Sequence, residues 1–268
     1  MKKLLLAAAG SLLWLGASAQ TWVNYDKLLF VIDDTDNTAQ LAAPYCCPLA
    51  NYDESGYWDN VVVPVQIENG GKTYTVTSVM NEAFYLRQPT SISFPETIKT
   101  IGDEVFYGVS TLKSVVFPNS VETIGSGCFY NCSGLEEVTY GSGLKSIGGG
   151  TPANFYGVPN LVKLTSYAQV PPTAQYNTIG STSKSKCTLY VPAGTITAYQ
   201  RAPFWDGYKE YLEIPAEPGP GVGVEGIEAE ADEAPRYFNL QGIEVSRPER
   251  GIYIRIEGDR ATRVYIAR

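Results

Sequence analysis

Thr123-Ile124-Gly125-Ser126-Gly127-Cys128-Phe129-Tyr130-Asn131-Cys132-Ser133-Gly134-Leu135, followed by Val138 and Tyr140, is one copy of a phrase that occurs four times between Val79 and Ser166. Val79, Ile101, Ile124 and Ile147 open the copies, at spacings of 22, 23 and 23 residues. Five residues later comes a Phe in the first three copies (Phe84, Phe106, Phe129). In the fourth, Phe155 comes eight residues on, because Gly149, Gly150 and Thr151 read as a three-residue insertion. Leu112, Leu135 and Leu161 stand six residues beyond the Phe, whereas the first copy has Thr90 there and is one residue short. A period of this length means a solenoid, in which each unit buries its apolar face only against its neighbours. Such a stack builds an extended surface rather than a catalytic pocket.

Each copy reads as strand, turn and a short helical turn. The pairs Ile92 and Phe94, Val115 and Phe117, Val138 and Tyr140 alternate with polar residues, as in a strand with one buried face. Pro95 and Pro118 end the strands, since proline cannot continue the hydrogen-bond ladder. Gly102, Gly125 and Gly148 follow the opening aliphatic residue and suit a sharp corner. With Leu112, Val115 and Phe117 pointing inward, Ser114 and Val116 point outward. Stacking then gives an outward column of Ser91 and Ser93, Ser114 and Val116, Glu137 and Thr139, Lys163 and Thr165, Thr188 and Tyr190. The last eight of these residues are the candidate ligand face; a solvated sheet that binds nothing is the alternative.

The remaining segments divide by composition. Residues 1–19 read as a signal peptide: Lys2 and Lys3, an apolar run from Leu4 to Leu15, and Ala17-Ser18-Ala19 as the cleavage site. That run is well short of the roughly 20 residues that span a bilayer. Its removal takes two lysines and moves the formal charge from −8 to −10, which disfavours nucleic acid as a partner. Residues 20–72 form a β-rich N-terminal cap, with Leu28 to Ile32 as one strand. Val61 to Ile67 and Lys72 to Val76 form a hairpin about Asn69-Gly70-Gly71. Residues 73–215 carry the solenoid and an aromatic C-terminal cap (Tyr199, Phe204, Trp205, Tyr208, Tyr211). Residues 216–235 are an acidic Pro/Gly linker, with Glu217, Glu225, Glu228, Glu230, Asp232 and Glu233 and no basic residue. Residues 236–268 hold three strand-like runs, enough for a small β module.

The five cysteines are Cys46, Cys47, Cys128, Cys132 and Cys187. Cys128 and Cys132 flank Phe129 at inward positions, so free buried thiols are the expected state there. The chain contains no histidine, which removes Ser–His–Asp and Cys–His nucleophiles and most catalytic zinc sites. Gly221-Val222-Gly223-Val224-Glu225-Gly226 fits a dinucleotide fingerprint only literally, because it lies in the acidic linker without strand or helix. Asp33, Asp34 and Asp36 lack the glycine and distal glutamate of a calcium loop and read as a hairpin turn. Trp22, Trp58 and Trp205 read as cap and core residues before sugar platforms. No catalytic residue, cofactor or metal site is indicated.

The repeat resembles the BspA-type leucine-rich repeats of bacterial surface antigens. The resemblance is carried by Thr100 to Phe106, Thr123 to Leu135, Val115 to Val121, and Leu189-Tyr190-Val191-Pro192-Ala193-Gly194. It covers roughly residues 60–214. The tail, Tyr237-Phe238-Asn239-Leu240-Gln241-Gly242 and Gly251 to Ile254, is similar to short C-terminal modules of exported proteins of Gram-negative anaerobes, some of which resemble type IX secretion sorting domains. The resemblance implies a β-rich solenoid that is exported to the cell surface or secreted, with the periplasm as a further destination. It implies protein–protein interaction or adhesion without catalysis, the partner being a host or bacterial surface protein. A carbohydrate-binding surface protein is the alternative, and no membrane span remains after signal cleavage.

Overall fold

The computed structural model describes residues 21–25, 28–42, 60–151, 153–175, 184–215, 236–238, 245, 251–257 and 260–266. The leader, Cys46, Cys47, Trp58 and the acidic linker lie outside the described residues. The chain opens with an antiparallel meander of β1 (Thr21–Tyr25), β2 (Leu28–Asp33) and β3 (Thr38–Leu41). The acidic turn between β2 and β3 is a hairpin turn: Asp33 and Asp36 accept the amides of Thr35 and Thr38, and Asp34 binds Lys72 and Tyr74, each at 2.7 Å. Strand β4 (Asn60–Val62) is followed by the hairpin of β5 (Gln66–Asn69) and β6 (Lys72–Val79), and β6 also pairs in parallel with β3.

The run Val61 to Ile67, expected as one hairpin strand, is therefore two. Pro64 lacks an amide for the ladder, so β4 leaves the hairpin and pairs instead with β7 (Ser91–Ser93). From there the solenoid alternates short and long strands. β8 (Thr100–Ile101), β10 (Thr123–Ile124), β12 (Ser146–Ile147) and β14 (Thr173–Ala174) stack in parallel on β6. β9 (Ser114–Val116), β11 (Glu137–Tyr140), β13 (Lys163–Ser166), β15 (Thr188–Val191) and β16 (Glu210–Glu213) stack in parallel as the main sheet. The segments expected as helical turns are extended turns instead. Their amides alternate between the next coil, as in Phe84 N to Val105 O and Phe106 N to Cys128 O, both 2.9 Å, and their own coil, as in Tyr107 N to Glu104 O at 3.1 Å. Gly102, Gly125 and Gly148 directly follow the two-residue strands β8, β10 and β12, and they serve close approach. A Cβ on Gly102 would lie 2.5 Å from the amide nitrogen of Asn81 in the preceding coil.

One continuous core runs from Val23 to Tyr208. Inside it, Phe84, Phe106, Phe129 and Phe155 stack with ring centroids 5.6, 5.5 and 5.0 Å apart. Phe94, Phe117 and Tyr140 form a second stack at 5.9 Å behind the main sheet. Edge contacts such as Phe117 on Phe129, at 6.0 Å, tie the two together. The insertion in the fourth copy loops out before Phe155 and leaves this stack unbroken. Buried Asn154 repairs the backbone there: its Oδ1 accepts the Cys128 amide at 2.5 Å, and its Nδ2 donates to Gly125 O at 3.0 Å. A third stack, not expected from the sequence, lies on the surface: Tyr85, Tyr107, Tyr130 and Tyr156, at 4.6, 4.8 and 5.1 Å.

At the far end, helix α1 (Ile196–Arg201) brings Tyr199 against Trp205, ring edge to face at 5.1 Å. Trp205 is fully buried and donates its indole N–H to Pro172 O at 2.7 Å. Tyr208 is buried beside them, and Phe204 remains partly exposed. Toward the C-terminus, β17 (Arg236–Phe238), β18 (Gly251–Glu257) and β19 (Arg260–Ile266) form an antiparallel sheet of their own.

Cys128, Cys132 and Cys187 are free thiols, buried in the core. Burial pushes the thiols of Cys132 and Cys187 up to about 12 and that of Cys128 well above its ordinary value. It raises the Tyr199 phenol to about 12 and those of Tyr140 and Tyr208 well above 10. Folded, these groups keep protons that the unfolded chain releases from about pH 8.5 for thiols and about pH 10 for phenols. Above that point the folded state binds more protons than the unfolded one, so stability falls as pH rises. The urea midpoint is expected to be near-level between pH 6 and 8 and to decline through pH 9–11; a constant midpoint up to pH 11 would contradict the buried thiols and phenols. Truncating the central ring, Phe106→Ala, should destabilise by about 3–5 kcal/mol. Tyr107→Ala, on the surface stack, should cost less. Equal midpoint shifts for the two would refute the interior stack as the axis of the core.

Candidate ligand-binding face

The main sheet turns alternate side chains to the two sides. Val115, Val138, Leu164 and Leu189 are buried in the core, and their neighbours face outward. In register, Ser114, Glu137, Lys163, Thr188 and Glu210 form one outward column. Val116, Thr139, Thr165, Tyr190 and Leu212 form the second. All eight candidate residues thus share one face. Exposure is not uniform along it. Ser114 and Glu137 are exposed; Val116, Thr139, Lys163, Thr188 and Tyr190 are half-buried. Thr165 is only 6% exposed, against the expectation that it lies open. It sits between Thr139 and the much larger Tyr190 in the ladder, and a short side chain flanked in this way loses its access to solvent.

Two of the face's charges, Glu137 and Lys163, are paired with each other. Lys163 Nζ lies 3.0 Å from Glu137 Oε2 and 5.7 Å from the centre of the Tyr190 ring. Lys113 and Glu136, one residue before the strands, pair at 2.7 Å. These carboxylates and ammonium groups are more than two-fifths exposed, so each pair contributes no more than about 1 kcal/mol. The Lys163 ammonium beside the Tyr190 ring competes with any sugar for stacking there.

At the N-terminal end the face changes character. A cleft of about 270 Å³ opens among Val61, Val62, Ser91, Ile92, Ser93, Ser114 and Val116. Val62 is 60% exposed beside it. Ser91 and Ser93 belong to the outward column expected from the sequence, but Val62 does not, because β4 was not separable from the hairpin. The signal that separates them is Pro64, placed in the middle of an otherwise strand-like run.

Other sequence features do not gather into a site. Among the described residues no three Cys, Asp or Glu side chains converge as metal ligands, and Asp34 is engaged with Lys72 and Tyr74. Trp205 is in the core, and Trp22 packs against a small satellite cluster of Leu29, Val31 and Ala42. The Gly221–Gly226 run lies outside the described residues. Among the described residues no helix is long and apolar enough to cross a membrane.

One comparison with known proteins identifies the repeat. The family model for the BspA type leucine rich repeat region matches residues 73–190, in six copies. A leucine-rich repeat protein from Bacteroides capillosus is 23% identical, with a TM-score of 0.46, over 55% of this chain and 99% of that one. A leucine-rich repeat protein from Bacteroides ovatus is 21% identical, with a TM-score of 0.46, over 72% of this chain and 41% of that one. The T. pallidum leucine rich repeat protein is 16% identical, with a TM-score of 0.49, over 73% and 83%. Among curated proteins none matches the chain. With its 23-residue period, inward Phe and Leu columns and stacked parallel strands, the segment from residue 73 to residue 190 is a leucine-rich-repeat region of the BspA type.

Proposed function

We propose that this chain is an exported protein that binds another protein at the cell surface through the outward face of the main sheet, without catalysis. The observation that carries the reading is the face itself. Five parallel strands present two straight columns of side chains whose removal leaves the core untouched, and those columns end in an uncharged cleft. Preformed, rigid surfaces of this kind bind with little ordering cost. Ser114, Val116, Glu137, Thr139, Lys163, Thr188 and Tyr190 are the proposed contacts, with Thr165 beneath them. Export rests on the leader-like residues 1–19, and the small sheet of residues 236–266 is proposed to serve sorting or attachment. A partner of host or bacterial origin fits an acidic protein of this kind; a nucleic acid does not.

The direct test is a binding screen of residues 20–268 against arrays of extracellular-matrix proteins, bacterial surface proteins and glycans. A saturable protein ligand is expected. A glycan ligand alone would replace protein binding with carbohydrate capture, and silence on every array would refute the reading. On the protein ligand, the double exchange Glu137→Lys with Lys163→Glu should leave the urea midpoint within about 1 kcal/mol of wild type, since both groups are exposed. The same exchange should weaken binding at least tenfold. Unchanged affinity would remove this face from the interface.

A further inference from the structure

The main sheet is interrupted once among the described strands. Ser91–Ser93 pairs with Asn60–Val62, and Ser114–Val116 pairs with Glu137–Thr139, but no ladder joins the two pairs. Beneath the gap the coils remain in contact, with Phe94 stacked on Phe117 at 5.9 Å. The break falls at the first copy of the repeat, which is also the shortened one. From Phe84 to Ile92 is eight residues, while Phe106 to Val115 and Phe129 to Val138 are nine, and Thr90 takes the place of the inward leucine. The two strands nonetheless stay in step, since Ile92 and Phe94 are buried as Val115 and Phe117 are, and the shortened turn coincides with the missing ladder. The cleft lies at this break, with walls from both strands.

Its chemistry is unlike the rest of the face. Among the described residues no charged side chain lines it; Val62 and Val116 form apolar walls, and Ser91, Ser93 and Ser114 supply hydroxyls. Ser91 donates to Asn60 Oδ1 at 2.5 Å. The Ser93 hydroxyl is buried and has no hydrogen-bond partner, a state that natural proteins rarely leave uncompensated. We propose, resting on the protein-binding reading above, that this cleft is the anchor pocket of the interface. It seats one uncharged, branched side chain, of valine, threonine or leucine type, from an extended segment of a partner protein.

Three arguments select that occupant. A charged anchor would be desolvated with no counter-charge among the described residues of the cleft wall. A volume of about 270 Å³ is below the roughly 300 Å³ at which small-molecule sites begin, and it suits one side chain rather than a whole ligand. Among the described residues no aromatic ring lines the cleft to stack on a pyranose. The partner's backbone amide, or a threonine hydroxyl, supplies the group that Ser93 Oγ lacks, reached by rotation about χ1. Interfaces concentrate their energy at such desolvated anchors, while exposed ion pairs like Glu137–Lys163 form the rim.

The test is a titration of valine-methyl-labelled chain, residues 20–268, with N-acetyl-leucine amide, N-acetyl-aspartic acid amide and methyl α-glucoside, read by NMR. Saturable shifts at the Val62 and Val116 methyls are expected with the leucine amide alone. They should fall at least tenfold in affinity in Val116→Glu and in Ser114→Trp. The second variant lies at an exposed position and guards against a folding defect in the first. No saturable shift with the leucine amide, or shifts with the glucoside instead, would overturn the assignment. The screened protein ligand separates the two claims. If it loses affinity with the Glu137/Lys163 exchange but binds Val116→Glu and Ser114→Trp like wild type, the anchor is wrong and the face stands. If neither set of variants changes its affinity, both fall.

Discussion

Everything in this solenoid depends on the stacking of like on like at a fixed interval. Phe84, Phe106, Phe129 and Phe155 lie one above another because the chain returns to the same place every 22 to 26 residues. A single coil of this length has too little interior to enclose a ring. Its phenylalanine is covered above and below only by the coils on either side. Stability is thus a sum of neighbour interfaces, with no coil able to fold alone. The same arrangement requires closure at the ends, and the sequence changes character at both. The meander β1–β3 continues the sheet at one end, while α1, Tyr199 and Trp205 fill the interior at the other.

Departures from the interval have opposite outcomes in different copies. The three extra residues of the fourth copy are absorbed because they sit in a turn, outside the path that positions Phe155. The one backbone gap they create is spanned by Asn154, whose amide imitates a peptide group by accepting from Cys128 and donating to Gly125. The residue missing from the first copy lies between the Phe and the strand; the Gln88 side chain bridges the turn there, accepting from the Ser110 amide and donating to Gly108 O, yet no ladder joins Ser91–Ser93 to Ser114–Val116. An insertion can bulge outward, whereas a deletion must pull something taut. The longer copy keeps its ladder, and the cleft lies at the shorter one.

Much of this was legible from residue order, for a physical reason: what repeats must superpose. The inward set Leu112, Val115 and Phe117, the outward set Ser114 and Val116, and the prolines that end strands all follow from period and alternation. So does the burial of the thiols Cys128 and Cys132. The two-residue strands Thr100–Ile101, Thr123–Ile124 and Ser146–Ile147 were not legible. A strand that short has no alternation to read, and only its neighbours in the stack make it a sheet. The Tyr85, Tyr107, Tyr130 and Tyr156 column does repeat in the sequence, directly after each Phe. It went unread because a surface tyrosine in one copy carries no signal until four are seen to align. Thr165 was misplaced because alternation gives the direction of a side chain, not the size of the neighbour beside it.

The division of labour along each strand explains how such a fold serves recognition. Val115, Val138, Leu164 and Leu189 hold the main sheet to the core; Ser114, Glu137, Lys163 and Thr188 contribute almost nothing to it. Outward residues can therefore change while the scaffold keeps its geometry, and the scaffold already holds them in straight columns one strand spacing apart. A surface of this kind gains affinity from position rather than from rearrangement. Its weak point is uniformity, since flat polar columns offer no place where water is readily displaced. The break beside Ser93 and Val116 supplies that place, at the end of the face where charge is lowest.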